Sequence, residues 1–112
     1  MNDRELLELA AKAAGLNVKA QSVNSDDRWL GFIVGEKHTR EKKFWNPLID
    51  DGDALRLAVK LRLDVMCHEI GAHVDNDISY SSEISHNDPY AATRRAIVRA
   101  AAEIVYALGD EK

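Results

Sequence analysis

Apolar and polar positions recur with two different periods along this chain, and the changes of period mark out its elements. Near the start, Leu6, Leu9, Ala10 and Ala13 fall at helical spacing and form one apolar stripe. Asn2 stands at the capping position, and Glu5, three residues later, completes a capping-box spacing. Gly15 supplies a left-handed stop, with Leu16 just beyond it for the accompanying apolar contact. Residues 17–49 read as strand material. Val18 to Val23 alternates weakly, Asn24-Ser25-Asp26-Asp27 is a turn cluster, and Trp29 to Val34 is the strongest β segment. Gly35 to Lys43 is charged and reads as an exposed connection, and Phe44-Trp45 suits a short returning strand that Asn46-Pro47 ends.

A second helix starts at Asp50-Asp51-Gly52-Asp53, where acids complement unpaired N–H groups and the helix dipole. Its periodicity puts Ala54, Leu55, Ala58, Val59 and Leu61 on one broad face, with Asp53, Arg56 and Lys60 on the other, and an end near Leu63. Residues 65–74 alternate like a strand. Met66, His68, Ile70, Ala72 and Val74 point one way; Val65, Cys67, Glu69, Gly71 and His73 point the other. Asp75-Asn76-Asp77 is a turn signal, after which Ile78 to Ile84 returns as a hairpin partner. The last helix is capped by Asn87 or Asp88, with Pro89 at its first position. Tyr90, Ile97, Ala101, Ile104, Val105 and Leu108 form its stripe, Arg95, Arg99, Glu103 and Tyr106 lie opposite, and Gly109 closes it. The order is α-β-β-α-β-β-α. It predicts a single α+β domain over residues 1–112, with a mainly antiparallel sheet of about four strands packed with helices.

Composition fits this picture. A chain of 112 residues, 46% hydrophobic and 30% charged, is of ordinary globular make-up. It is long enough to bury roughly two thirds of its unfolded surface. The net charge of −4 argues against generic affinity for nucleic acid or an anionic membrane. A single cysteine, Cys67, excludes an internal disulfide framework, and Met-Asn-Asp-Arg-Glu lacks a signal-peptide pattern, so a reducing cytoplasm is the expected setting.

Two segments carry a family resemblance. They are Trp45-Asn46-Pro47-Leu48-Ile49-Asp50-Asp51-Gly52-Asp53-Ala54-Leu55-Arg56-Leu57-Ala58 and Asp88-Pro89-Tyr90-Ala91-Ala92-Thr93-Arg94-Arg95-Ala96-Ile97-Val98-Arg99-Ala100-Ala101-Ala102. With the Leu-rich first helix, they resemble the phage ABA sandwich domain, a family of small bacteriophage and prophage proteins. The resemblance implies an α/β sandwich, a phage or prophage origin and the cytoplasm of a bacterial host. It implies no catalytic residues.

Several constellations suggest chemistry. His68-Glu69-Ile70-Gly71-Ala72-His73 is one residue longer than the His-Glu-x-x-His metalloprotease motif. Its histidines lie about 140° apart on a helix, or on opposite faces of a strand, so neither geometry gives that site. A metal site would need distant help from His38, His86 or Asp88. Asp50, Asp51 and Asp53 lack the length and terminal glutamate of an EF-hand loop and read as helix capping. Cys67 reads as a buried, unreactive thiol that faces away from His68. Lys37, Arg40, Lys42 and Lys43, with Trp45 nearby, form a basic stretch diluted by Glu36 and Glu41, as in a solvated loop. Arg94, at the edge of its stripe, is placed to reach a carboxylate.

The most unusual feature is charge segregation. From Leu63 through Thr93 there is no lysine or arginine, while Asp64, Glu69, Asp75, Asp77, Glu83 and Asp88 all occur. One reading is a hairpin neutralised in space by Arg56, Lys60, Arg94 or Arg95. The other is an acidic face, carried by Glu69, Asp75, Asp77, Glu83 and Asp88, that docks on a protein partner with a basic surface. The sequence therefore predicts a non-enzymatic binding protein, monomeric or homodimeric, without a cofactor, a metal, direct nucleic-acid contact or a membrane segment. The alternative is a small-molecule or nucleotide binder, or a weak hydrolase, with a pocket near Trp45, His68 and Arg94.

Overall fold

A computed structural model describes residues 2–35, 40–85 and 87–108. The elements run α1 (Asp3–Ala13), β1 (Asn17–Val23), β2 (Trp29–Gly35), β3 (Lys43–Trp45), α2 (Asp51–Leu61), β4 (Asp64–His68), β5 (Gly71–Asp75), β6 (Tyr80–Ile84) and α3 (Pro89–Ala107). The fold is α+β, as the periodicity predicts. Its strands form two three-stranded antiparallel sheets, β1-β2-β3 and β4-β5-β6, instead of one sheet of about four. The difference arises from β3, which pairs with β2 over three residues, and from a chain reversal at Glu69-Ile70 that divides the predicted strand 65–74.

The helix ends are set locally. Asn2 Oδ1 accepts from Glu5 N (2.8 Å) while Glu5 Oε1 accepts from Asn2 N (3.0 Å), the predicted capping box. α1 stops at Gly15, whose φ is +76°, and Leu16 N then bonds Ala11 O at 2.9 Å. α2 closes in the same way, Leu63 N bonding Ala58 O at 2.9 Å, but its left-handed position is held by Arg62 (φ +56°). Asp88 caps α3, accepting from Tyr90 N and Ala91 N at 3.1 Å each, with Pro89 following. The predicted closure at Gly109 lies outside the described residues.

Most of the buried apolar side chains form one contiguous core. Leu7, Phe32, Val34, Val74 and Val98 are almost wholly enclosed in it. α3 is the central element: it packs against α1, α2, β5 and β6. Its small residues Ala96, Ala100, Ala101 and Ala102 permit close approach on more than one side, so burial is wider than a single stripe. Tyr90 and Leu108, predicted within that stripe, sit at the helix ends beyond its neighbours and are exposed.

On α2 the periodicity puts Leu55 and Val59 inside and Asp53 outside; the structure reverses this. Asp53 is 4% exposed, whereas Leu55 is 64% and Val59 68% exposed. The cause is the Asn46-Pro47 turn, which folds against the start of the helix. Asp53 Oδ2 accepts from Asn46 N at 3.0 Å and Oδ1 from Arg56 at 2.7 Å, so a buried carboxylate answers a buried amide. Asn46 in turn donates to Leu30 O at 2.6 Å, tying α2 to β2. Among the described residues, every buried side-chain nitrogen and oxygen has a partner. No helix among them is long and apolar enough to cross a membrane.

Candidate binding groove between α2, α3 and β4

The β4–β6 sheet begins with a tight reversal. Glu69 and Ile70 form a two-residue loop, and neither has positive φ. It is therefore not one of the primed turns whose Asn-Gly or Asp-Gly signature reveals hairpins in a sequence. Gly71 is required for close approach: a Cβ there would lie 2.2 Å from Glu83 O on β6. The opposite loop is organised by Asn76, whose Oδ1 accepts from Ile78 N (2.8 Å) and Ser79 N (2.9 Å). This is the turn predicted at Asp75-Asn76-Asp77.

The reversal changes which side chains meet. Met66 is opposite His73, and His68 opposite Gly71, so His68 and His73 share the outer face instead of lying on opposite faces. Their ring centroids are 6.3 Å apart. His73 Nε2 lies 3.1 Å from Asp75 Oδ2, and its ring meets Tyr80 edge-on at 4.8 Å. Among the described residues, no three His, Cys, Asp or Glu side chains are grouped to hold a metal ion. His38 and His86 lie outside the described residues.

The inner face of the same sheet carries Val65 and Cys67 on β4, Ala72 and Val74 on β5, and Ser81 and Glu83 on β6. α3 lies under β5 and β6 and touches β4 much less. β4 therefore overhangs, and its inner side chains open onto a groove of about 450 Å³. Leu55 and Ala58 of α2, Tyr90 and Ile97 of α3, and Val65 and Cys67 of β4 form its walls. Cys67 is exposed, contrary to the buried thiol that alternation predicts, because no helix covers this edge strand. Cys67 and His68 leave β4 on opposite faces, so they do not form a nucleophile–base pair.

Arg94 lies along one wall of the groove. It donates from Nε to Leu48 O (2.8 Å) and from Nη1 to Asp51 Oδ1 (2.7 Å), and its side chain is 17% exposed. This is the carboxylate contact that its position predicts, and it joins the two segments that carry the family resemblance. His68 contributes to the groove; Trp45 does not. Trp45 is buried beside a second groove of about 570 Å³, with Lys43, Arg56 and Lys60. The residues proposed for one pocket are thus divided between two.

The acidic residues are divided as well. Glu69 is in the first turn and Asp77 in the second, at opposite ends of β5. Asp75 faces His73, Glu83 pairs with Arg99, and Asp88 caps α3. Arg99, expected to face solvent, supplies the countercharge for Glu83; Arg95 instead reaches Asp3 at 3.1 Å. Of the five, Glu69 and Asp88 adjoin groove residues, His68 and Pro89 respectively, and both are exposed. Leu55 and Tyr90, like Cys67, are groove residues that periodicity misassigns, since it reads their apolar character as burial. Comparison with protein-family models, with curated proteins and with solved structures returned no match.

Proposed function

We propose that the protein acts by binding, taking an amphipathic segment of a protein partner into the groove between α2, α3 and β4. The observation that carries this reading is the exposure of large apolar side chains around one concave site: Leu55 at 64% and Tyr90 at 68%, beside the half-open Val65. Such residues gain from being covered, and a groove with apolar walls accepts the apolar face of a helix or strand. Glu69 and Asp88 adjoin the groove and are exposed, and neither is ion-paired with a described lysine or arginine, so the segment it fits carries basic residues beside its apolar ones. Arg94 serves as a strut, since both of its described contacts are internal. The phage or prophage setting belongs to this proposal and rests on the resemblance of the two helix-starting segments.

The test uses two synthetic helical peptides with the same leucine pattern, one carrying lysines and the other glutamates, titrated into the labelled protein and followed by amide NMR shifts. The expected result is shifts at Leu55, Val65, Tyr90 and Thr93 with the basic peptide, weakening as salt rises. Leu55→Lys should remove them. Equal response to both peptides, or shifts confined to β1 and β2, would overturn the reading.

A further inference from the structure

We infer that β4 is a self-pairing edge, and that two copies of this chain join through it into one continuous six-stranded antiparallel sheet. The inference is independent of the groove reading, and its test needs no ligand.

The two sheets present four edge strands, and three of them carry a device that discourages pairing. β1 has register shifts at Val18/Ala20 and Ser22/Val23 and contains Lys19. β3 is three residues long and begins with Lys43. On β6 the carbonyl of Ser82 accepts from Arg99 Nη1 at 3.4 Å, and Arg99 also pairs with Glu83. β4 has none of these. It is five residues of unbroken register, exposed along its length, without lysine, arginine or proline. It also lies at the start of the segment from Leu63 to Thr93 that lacks lysine and arginine.

The direction of its backbone follows from bonds within the sheet. Ser85 N donates to Ile70 O, and Asn76 N to Ser79 O, so the even-numbered residues of β5 face β6. The odd-numbered ones, with their partners Asp64, Met66 and His68, therefore bond across the β4–β5 ladder. Val65 and Cys67 are left with N–H and C=O groups directed outward.

A two-fold axis through Met66 satisfies these groups. Val65 then exchanges both hydrogen bonds with the partner's Cys67, and Cys67 with the partner's Val65. On the outer face, the same register sets Asp64 opposite the partner's His68. Asp64 needs such a neighbour: within its own sheet it lies directly opposite Asp75, a like charge. Registers centred on Val65 or Cys67 shorten the overlap and do not match carboxylate with imidazole. The axis is perpendicular to the sheet, so both grooves open on the same side of the joined sheet. A contact between two five-residue strands is smaller than a standard interface of about 1,600 Å², so the dimer is expected to be weak and concentration-dependent.

The test is sedimentation equilibrium of the wild-type chain from about 1 μM to 1 mM, with three variants. The wild type should pass from monomer to dimer across that range. Cys67→Pro removes an outward N–H that no bond among the described residues uses, and His68→Asp sets carboxylate against carboxylate across the axis. Each should weaken the dimer by at least about tenfold while far-UV circular dichroism stays native. Asp64→His combined with His68→Asp restores the pair with its sense reversed, and should restore the dimer. His68 is exposed, so its variants report even where Cys67→Pro fails to fold. A wild type that stays monomeric throughout overturns the inference. So does a dimer that is unchanged by His68→Asp, or one that the double variant leaves broken.

Discussion

His68 and His73 lie on one face of the β4–β6 sheet with ring centroids 6.3 Å apart and planes tilted by 33°. The Glu69-Ile70 reversal alone produces this, and Gly71 makes the reversal compatible with β6. Gly71→Ala places a methyl group against the Glu83 carbonyl, which belongs to the backbone and has little freedom to move. The expected cost is about 1–3 kcal/mol, as for other overpacked sites. Urea denaturation measures it, and an unchanged midpoint would mean that β5 and β6 are farther apart than described.

The paired helix ends make a second prediction. Gly15 and Arg62 occupy the same left-handed position after α1 and α2. A Cβ at Gly15 meets nothing within 4 Å, so Gly15→Ala tests backbone strain alone and should cost roughly 1 kcal/mol. Arg62→Gly relieves the same strain, against some gain of freedom in the unfolded chain, and should stabilise by about 0.5 kcal/mol. Opposite signs in thermal melts of the two variants are the expected outcome.

These elements show what was legible in the sequence. The caps at Asn2, Asp50 and Asp88, the stop at Gly15 and the Asn24 and Asn76 turns were readable because each is a local bond between near neighbours. The Glu69-Ile70 turn was not, because it uses no residue with a turn preference of its own. The orientation of α2 was not readable either. It depends on a bond from Asp53 to Asn46, and helical periodicity ranks Leu55 and Val59 above an aspartate for burial. The groove was missed for both reasons together: it exists where β4 overhangs and where α2 presents Leu55 outward.

Cys67 provides a direct check on that overhang. An exposed thiol on the inner side of an edge strand should react with a chromogenic disulfide reagent in the folded protein, one equivalent per chain. The measurement belongs at the lowest workable concentration, below the range in which the proposed pairing through β4 would cover this strand. A labelling rate equal to the rate of global unfolding would return Cys67 to the core and close the groove.

Asp53 is expected to matter more than its type suggests. Asp53→Ala leaves the buried Asn46 N–H without its acceptor and removes the nearer of the two carboxylates that Arg56 meets. A stranded buried donor costs about 1–3 kcal/mol. Asp51→Ala, which removes an exposed carboxylate from Arg94, should cost less, because Arg94 keeps its bond to Leu48 O. Chemical denaturation of the two variants should separate them clearly; equal losses would mean that the Asn46 turn draws its stability from elsewhere.

Stability and binding should separate within a single groove. Ile97 and Leu55 both line it, but Ile97 is 5% exposed and belongs to the core, whereas Leu55 is 64% exposed on the outer side of α2. Ile97→Ala removes methyl groups from a packed site and should cost about 2–4 kcal/mol. Leu55→Ala removes groups already in water and should stay within about 0.5 kcal/mol of wild type. In the peptide titration the order reverses in kind: Leu55→Ala should weaken capture of the basic amphipathic peptide while its melting curve overlays that of the wild type. If Leu55→Ala destabilises as much as Ile97→Ala, α2 is turned toward the core at Leu55, and the groove loses the apolar wall on which the proposed binding depends.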